Sequence, residues 1–186
     1  FDPQNYQSKY SVPNRYTYSD PTSPTFIVTY AQTQLLLAEA AVRGWVSGDA
    51  KTYYENGVRA AMEQFAQFPN ATKLYQQYVT PEAINTYLTA NPFDGTLEQI
   101  NTQYWINSFC DEYESFSNWR RSGYPALQST YDPANPYGLS ATKGSIPRRF
   151  AYPSTESQVN TKNYDAAVSG LSDGDTFTSR IWWDVK

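Results

Sequence analysis

The chain has 186 residues, 14 Lys and Arg against 18 Asp and Glu, a net charge of −4 and no histidine. This length suits one domain with a real core or a large piece of a bigger one, and an acidic balance without a basic block argues against nucleic acid as a partner. The lack of histidine removes imidazole metal sites, Ser-His-Asp and Cys-His catalysis and the usual general base near neutral pH.

Cys110 is the only cysteine. It leaves no internal disulfide and no thiolate metal cluster, and inside an apolar helical pattern it reads as a small core residue. The unusual feature is aromatic content: 17 Tyr, 9 Phe and 5 Trp, 17% of the chain. Flat rings beside many uncharged amides and hydroxyls suit neutral polyhydroxylated ligands. They suit equally a protein whose long loops are pinned by tyrosines. No run of 18 apolar residues predicts a transmembrane helix.

Residues 1–29 read as irregular, because Pro3, Pro13, Pro21 and Pro24 break any helix. "TYAQTQLLLAEAAVRGW", from Thr29, carries Ala31, Leu35, Ala38, Val42 and Trp45 on one stripe, widened by Leu36, Leu37 and Ala40. This predicts a well-buried helix that ends at Gly44. Asp49 caps a second helix over about 50–66, with Tyr54, Val58, Ala61 and Phe65 inward and Gly57 allowing close approach. The two make a tetratricopeptide-like hairpin, which cannot bury its own faces alone.

Thr80-Pro81 opens a short helix to about Thr89, stopped by Asn91-Pro92. Thr96 to Gln99 reads as a capping box for a longer helix facing inward at Ile100 and Tyr104. That pattern blurs after Cys110, predicting a bend before the helix resumes through Phe116 and Trp119 and stops at Gly123 and Pro125. From 126 onward the reading is long loops with short helical turns, one of them at Tyr164–Val168, and "SRIWWDVK" as a short strand or extended tail. The fold class is mainly α, tetratricopeptide-like hairpins with long irregular loops and little β. The helical body covers about 30–122 of a single piece, and 123–186 is loop-rich.

Several segments together resemble one family. "TYAQTQLLLAEAAVRGWVSGDAKTYYENGVRAAMEQF", "INTQYWINSFCDEYESFSNWRRSGYPAL", "IPRRFAYPSTESQVNTKNYDAAV" and "TSRIWWD" stand in the order found in the C-terminal region of SusD-like (RagB/SusD) lipoproteins of Bacteroidetes. The resemblance implies a glycan-capture protein on the outer-membrane surface. It implies a lipid anchor on an N-terminal cysteine outside this chain, the N-terminal remainder of a larger domain, and a TonB-dependent SusC-like transporter as partner. Peptide cargo, as in the RagB branch, and a helical-repeat scaffold without a small ligand stay open as alternatives.

The paired arginines Arg120 and Arg121, and Arg148 and Arg149, suit either anionic ligands or a structural role. Arg120 and Arg121 close a helix, where cations meet free carbonyls, and successive helical residues point about 100° apart. With Trp119 and Glu39, a lone acid in an apolar helix that needs a partner, they are read as a structural clasp. Trp105 and Tyr104 read as packing, and Trp182 and Trp183 as facing opposite sides. Tyr78, Phe93, Tyr131 and Tyr137, among Pro, Asn and Asp, are the ligand-binding candidates. Asp111, Glu112 and Glu114 read as a solvated helix face rather than a glycosidase pair, so no enzyme and no cofactor is expected. Asp173-Gly174-Asp175 is only a fragment of a calcium loop, and an acidic surface turn is the expectation.

Overall fold

The computed structural model describes residues 12–128, 142 and 144–184. Among them are eight α-helices, two 3₁₀ turns and no strand. The chain divides into two units, residues 1–116 and 117–186.

In the first unit, helix α1 (Tyr30–Val42) opens on a full capping box. Thr29 Oγ1 accepts from Gln32 N, and Gln32 Oε1 accepts from Thr29 N. It closes on Gly44 at φ +71, with Gly44 N bonded to Ala41 O and Trp45 N to Ala40 O, the paired bonds of a Schellman end. Turning the chain there takes Trp45 off the predicted stripe. It is 71% exposed, with the Arg43 guanidinium lying over its ring, 5.1 Å from the centroid. Ala31, Leu35 and Ala38 are buried as expected, but Leu36 and Val42 are exposed while Gln32, Gln34 and Glu39 are buried. The all-round apolar burial read from the sequence is therefore narrower than expected.

Asp49 caps α2 (Ala50–Glu63) through Lys51 N and Thr52 N. The pattern expected to run to residue 66 tightens into a 3₁₀ turn at Gln64–Gln67, and Ala61 and Phe65 are only half-buried. Helices α1 and α2 pack along their length, and Gly57 sets their approach. A Cβ there would lie 2.7 Å from Leu35 Cγ and 3.3 Å from Ala31 O. A second 3₁₀ turn (Pro69–Ala71) leads into α3 (Thr72–Tyr78), an element that sequence periodicity did not predict.

α4 (Pro81–Ala90) starts on Thr80 with Pro at its first position, as expected. α5 (Leu97–Asn107) starts on Thr96, but only half of the predicted capping box forms. Gln99 reaches back to Asp94 N and Pro92 O, and Thr96 N is taken by Asp94 instead. Leu35, Ala38, Tyr54, Val58, Ile100 and Tyr104 form the core that joins α1, α2 and α5, with Tyr87, Leu88 and Phe93 packed against it. Each fully buried large side chain contributes about 2 kcal/mol of transfer free energy before entropy is counted. A second, aromatic cluster pins the segment before α1. Tyr18 meets Phe68 edge-on at 5.0 Å, and Phe26 meets Phe68 at 5.6 Å.

The predicted bend near Cys110 is a complete break. Cys110 sits at φ +66 and is exposed, which corrects its reading as a core residue. The left-handed backbone turns its side chain out of the helical stripe. The chain restarts as α6 (Glu112–Ser122), with Asp111 Oδ1 accepting from Glu114 N.

The second unit begins within α6, which ends at Gly123, φ +81. It holds two short helices, α7 (Ser154–Val159) and α8 (Thr161–Val168); the latter extends the helical turn predicted there, and the former is one of the short helical turns expected without a position. The stretch read as a strand or tail is neither among its described residues. Asp184 N bonds Ile181 O, folding Ile181–Asp184 into a turn.

Candidate functional site

Within the second unit the paired arginines build a lattice. Arg120 Nη1 donates to Arg148 O at 3.0 Å, and Arg148 Nη2 donates back to Arg120 O at 2.9 Å. Arg148 then grips Asp184 with both Nε (2.8 Å to Oδ2) and Nη2, and Arg180 Nη1 adds a third contact at 2.7 Å. Asp184 is 2% exposed. Burial works to raise its carboxyl, but the hydrogen bonds and charges of Arg148 and Arg180 prevail and hold it below the usual carboxylate range. The guanidinium planes also cover indoles: Arg148 lies 4.6 Å from the Trp119 ring centroid, and Arg120 lies 4.7 Å from that of Trp183.

Arg149 performs a parallel task. It donates to Asp175 Oδ1 at 2.5 Å and to Thr176 O, while Asp175 also accepts from Tyr152 N and Tyr164 Oη. Burial again opposes the Asp175 charge, and Arg149 with the Tyr152 amide outweighs it, so this carboxyl too is held low. The Asp173–Asp175 turn is thus a hydrogen-bonded knot, with Asp173 Oδ2 accepting from Thr176 and Thr178 hydroxyls. No group of three or more metal-ligating side chains occurs among the described residues. Arg121 Nη2 donates to Asn118 Oδ1 at 2.7 Å. In the first unit, Glu39 is held by Arg43 Nε at 2.8 Å and by Asn101 Nδ2 at 3.2 Å.

The first unit carries a cleft of about 330 Å³. One wall is the Asp20–Phe26 segment and the other the turn from Asn107 to Asp111 that joins α5 to α6. Phe109, 52% exposed, stands in this lining, held edge-on by Tyr18 at 5.1 Å. Asp20 is fixed by Thr22 and by Asn70 Nδ2 at 2.6 Å. These bonds hold the Asp20 carboxyl low, the Asn70 amide contributing most. Asn107 Nδ2 donates to Thr29 Oγ1 at 3.2 Å, whereas its Oδ1 is buried with no hydrogen-bond partner. Among the described residues, no Lys or Arg lines this cleft.

Of the ligand candidates, Tyr131 and Tyr137 lie outside the described residues. Tyr78 is 65% exposed but is the last residue of α3 rather than part of a loop. Phe93 stacks on the buried Tyr54 at 4.8 Å and joins the core, so one face of its ring is already used. Tyr104 is buried, but Trp105 is 38% exposed, so the packing role read for Trp105 is at most partial. Trp182 is 88% exposed and Trp183 half-buried, the expected division, although a turn rather than a strand carries them. The acidic trio divides: Glu112 is exposed as expected, whereas Glu114 Oε1 accepts the Tyr104 hydroxyl at 2.7 Å and Asp111 caps α6.

Asp184, Asp175 and the cleft residues were missed in the sequence. Two Arg-Arg pairs in an uncharged region call for buried carboxylates, and "WWD" supplies one. The cleft had a weaker signal, the lapse of helical periodicity at "NSFCD".

In the first unit, a helical hairpin with an aromatic, carboxylate-bearing cleft beside it has the tetratricopeptide-like architecture of a binding scaffold. The chain belongs to the SusD-like family, described as SusD and RagB outer membrane lipoprotein, whose model matches residues 2–184. Among solved structures it is similar to a chitin-binding protein, at 39% identity and TM-score 0.73, over 84% of this chain and 33% of that one. It is also similar to a SusD homologue from Bacteroides fragilis, at 34% identity and TM-score 0.69, over 84% of this chain and 34% of that one. A chitin-binding SusD homologue from Flavobacterium johnsoniae shares 26% identity, with TM-score 0.59, over 84% of this chain and 36% of that one. The chain thus spans about a third of the length of these relatives. No curated protein matches it. No described helix is long and apolar enough to cross a membrane.

Proposed function

We propose that the protein captures oligosaccharide at the outer-membrane surface, where a lipid holds it, and passes the cargo to a TonB-dependent SusC-like transporter. The cargo class is a β-linked N-acetylglucosamine oligomer. The observation that carries this reading is the 39% identity, over 84% of this chain, to a protein described as chitin-binding; the Flavobacterium johnsoniae homologue supports it. A cleft whose walls combine aromatic rings with amide, hydroxyl and carboxylate groups suits such cargo, since sugar C–H faces stack on rings and hydroxyls need hydrogen-bond partners. The protein acts by binding rather than catalysis, consistent with Glu114 and Asp111 being engaged in structural hydrogen bonds. The arginine lattice of Arg120, Arg148 and Arg149, with Trp119, is a structural clasp that fixes the loops of the second unit, and Arg121 and Glu39 serve the same purpose where they sit. Calorimetry of the intact protein against N-acetylglucosamine oligomers, malto-oligosaccharides and peptides tests the cargo. Saturable binding of the first supports the reading. Binding of peptides alone moves the protein to the peptide-carrying branch, and binding of none, with only proteins co-purifying, favours a scaffold.

A further inference from the structure

We propose that the cleft between the Asp20–Phe26 segment and the Asn107–Asp111 turn is a saccharide site of its own, which takes one neutral sugar ring against Phe109 with hydroxyl or amide donors directed at Asp111 and Asn107. The assignment rests on the proposed function only for the class of ligand; the place comes from the walls of the cleft.

At about 330 Å³ the cleft is at the small end of small-molecule sites, which run from about 300 to 1,000 Å³. It suits a ring or two rather than a long chain. Its polar capacity is biased toward acceptors. Asp111 Oδ1 caps α6, and its Oδ2 makes no hydrogen bond among the described residues. A carboxylate offers about four lone-pair positions, so most of that oxygen's capacity is unused. The Asn107 carbonyl oxygen is buried behind the wall without a hydrogen-bond partner, while its amide nitrogen donates to Thr29 Oγ1. Terminal amide torsions are broad, so this group can swing toward a donor. An acceptor-rich wall with two carboxylates and, among the described residues, no cation disfavours anionic ligands and asks for O–H or N–H groups.

The apolar component is already positioned. Phe109 is half exposed and braced by Tyr18, which is braced in turn by the fully buried Phe68. A ring held this way loses little freedom on stacking. The left-handed backbone at Cys110 makes the sharp turn that displays it.

Cys110 lines the cleft, is exposed and is the only cysteine, so its alkylation rate reports occupancy. The intact protein is treated with a maleimide at increasing N-acetylglucosamine trimer, alongside calorimetry. Slowed labelling is expected, with half-protection at the calorimetric Kd. Asp111→Asn keeps the Oδ1 cap but turns the unused acceptor into a donor, and is expected to weaken binding about tenfold or more, as loss of a hydrogen bond to a charged group does. Phe109→Ala is expected to weaken it about tenfold. Circular dichroism confirms that both variants fold. Unprotected Cys110 and unchanged affinity in both variants, with calorimetry still recording trimer binding, overturn the cleft and leave the proposed function standing. Binding by neither readout overturns both. Stronger protection by the deacetylated, cationic trimer overturns the neutral-sugar assignment.

Discussion

Replacing Asp184 by Asn tests whether the arginine lattice is a clasp. Asp184 is 2% exposed and receives Arg148 through two nitrogens and Arg180 through a third. The variant keeps the shape but removes the charge, leaving the Arg148 guanidinium, whose side chain is only 12% exposed, without a counterion. Removing one partner of a buried pair costs about 3–5 kcal/mol, most of it the penalty of the stranded charge. Arg148 retains the Arg120 carbonyl and the Trp119 face, and Arg180 is 40% exposed and rehydrates, so the low end, about 3 kcal/mol, applies. For a chain of this size that is a fall in Tm of roughly 6–12 °C. Thermal unfolding followed by circular dichroism measures it. The cost belongs to the unpaired charge, so Arg148→Met combined with Asp184→Leu should recover a large part of it. A drop under 2 °C in the single variant, or a double variant worse than the sum of the singles, would refute the clasp.

Gly57→Ala sets about 1 kcal/mol of helix propensity against a Cβ 2.7 Å from the fully buried Leu35. Overpacking prevails by about 1–2 kcal/mol, read as a lower urea midpoint with unchanged slope. Burial, with Tyr87 and Asp94 nearby, pushes the Tyr54 hydroxyl up to about 12. The folded value exceeds the unfolded one near 10, so its stabilising contribution is complete below about pH 10 and is lost as the pH rises toward 12. The Gln103 amide opposes this upward shift, but its nitrogen is committed to the Tyr87 hydroxyl and the buried Tyr54 hydroxyl is left without a well-formed hydrogen bond, so Tyr54→Phe should be neutral or stabilising within about 1 kcal/mol at pH 7 and should flatten the alkaline loss. Asp175 and Asp184 run the other way. Their folded values lie below the unfolded value near 3.9, so their stabilisation is present above about pH 4 and disappears as the pH falls through the folded values. Tm measured from pH 6 to 2 should fall more steeply in the wild type than in Asp175→Asn.

The first unit was legible wherever one physical rule acted alone. Asp49, Thr80 and Thr96 each cap the helix they were expected to open, because a short side-chain oxygen before a helix has one obvious donor to meet. Gly57 was legible because a glycine facing leucine in a helix pair has few other reasons to be there. Readings failed where rules competed. Gln99 had the right spacing for a capping box, but Asp94 had already taken Thr96 N, so its amide went to Asp94 N and Pro92 O. Periodicity made Cys110 a core residue, yet the capping oxygen of Asp111 offered a new helix start, and the chain resolved the conflict with a left-handed residue. Long-range pairs were opaque. Arg148 finds Asp184 across 36 residues of mostly irregular chain, and no local pattern encodes such a partner.

The same contrast says where specificity can change without unfolding the protein. Phe68, fully buried, and Phe109, half exposed, belong to one aromatic chain through Tyr18. Phe68→Ala removes a core side chain and should cost about 3–5 kcal/mol. Phe109→Ala removes a ring whose outer half is in water and loses an edge contact, a cost of about 1 kcal/mol. Affinity and stability therefore separate along this chain. A ligand that stacks on Phe109 should lose binding in the second variant at nearly unchanged Tm. If Phe109→Ala instead lowers Tm as far as Phe68→Ala, the exposed ring is a packing element, and the cleft is shaped by the fold rather than for a ligand.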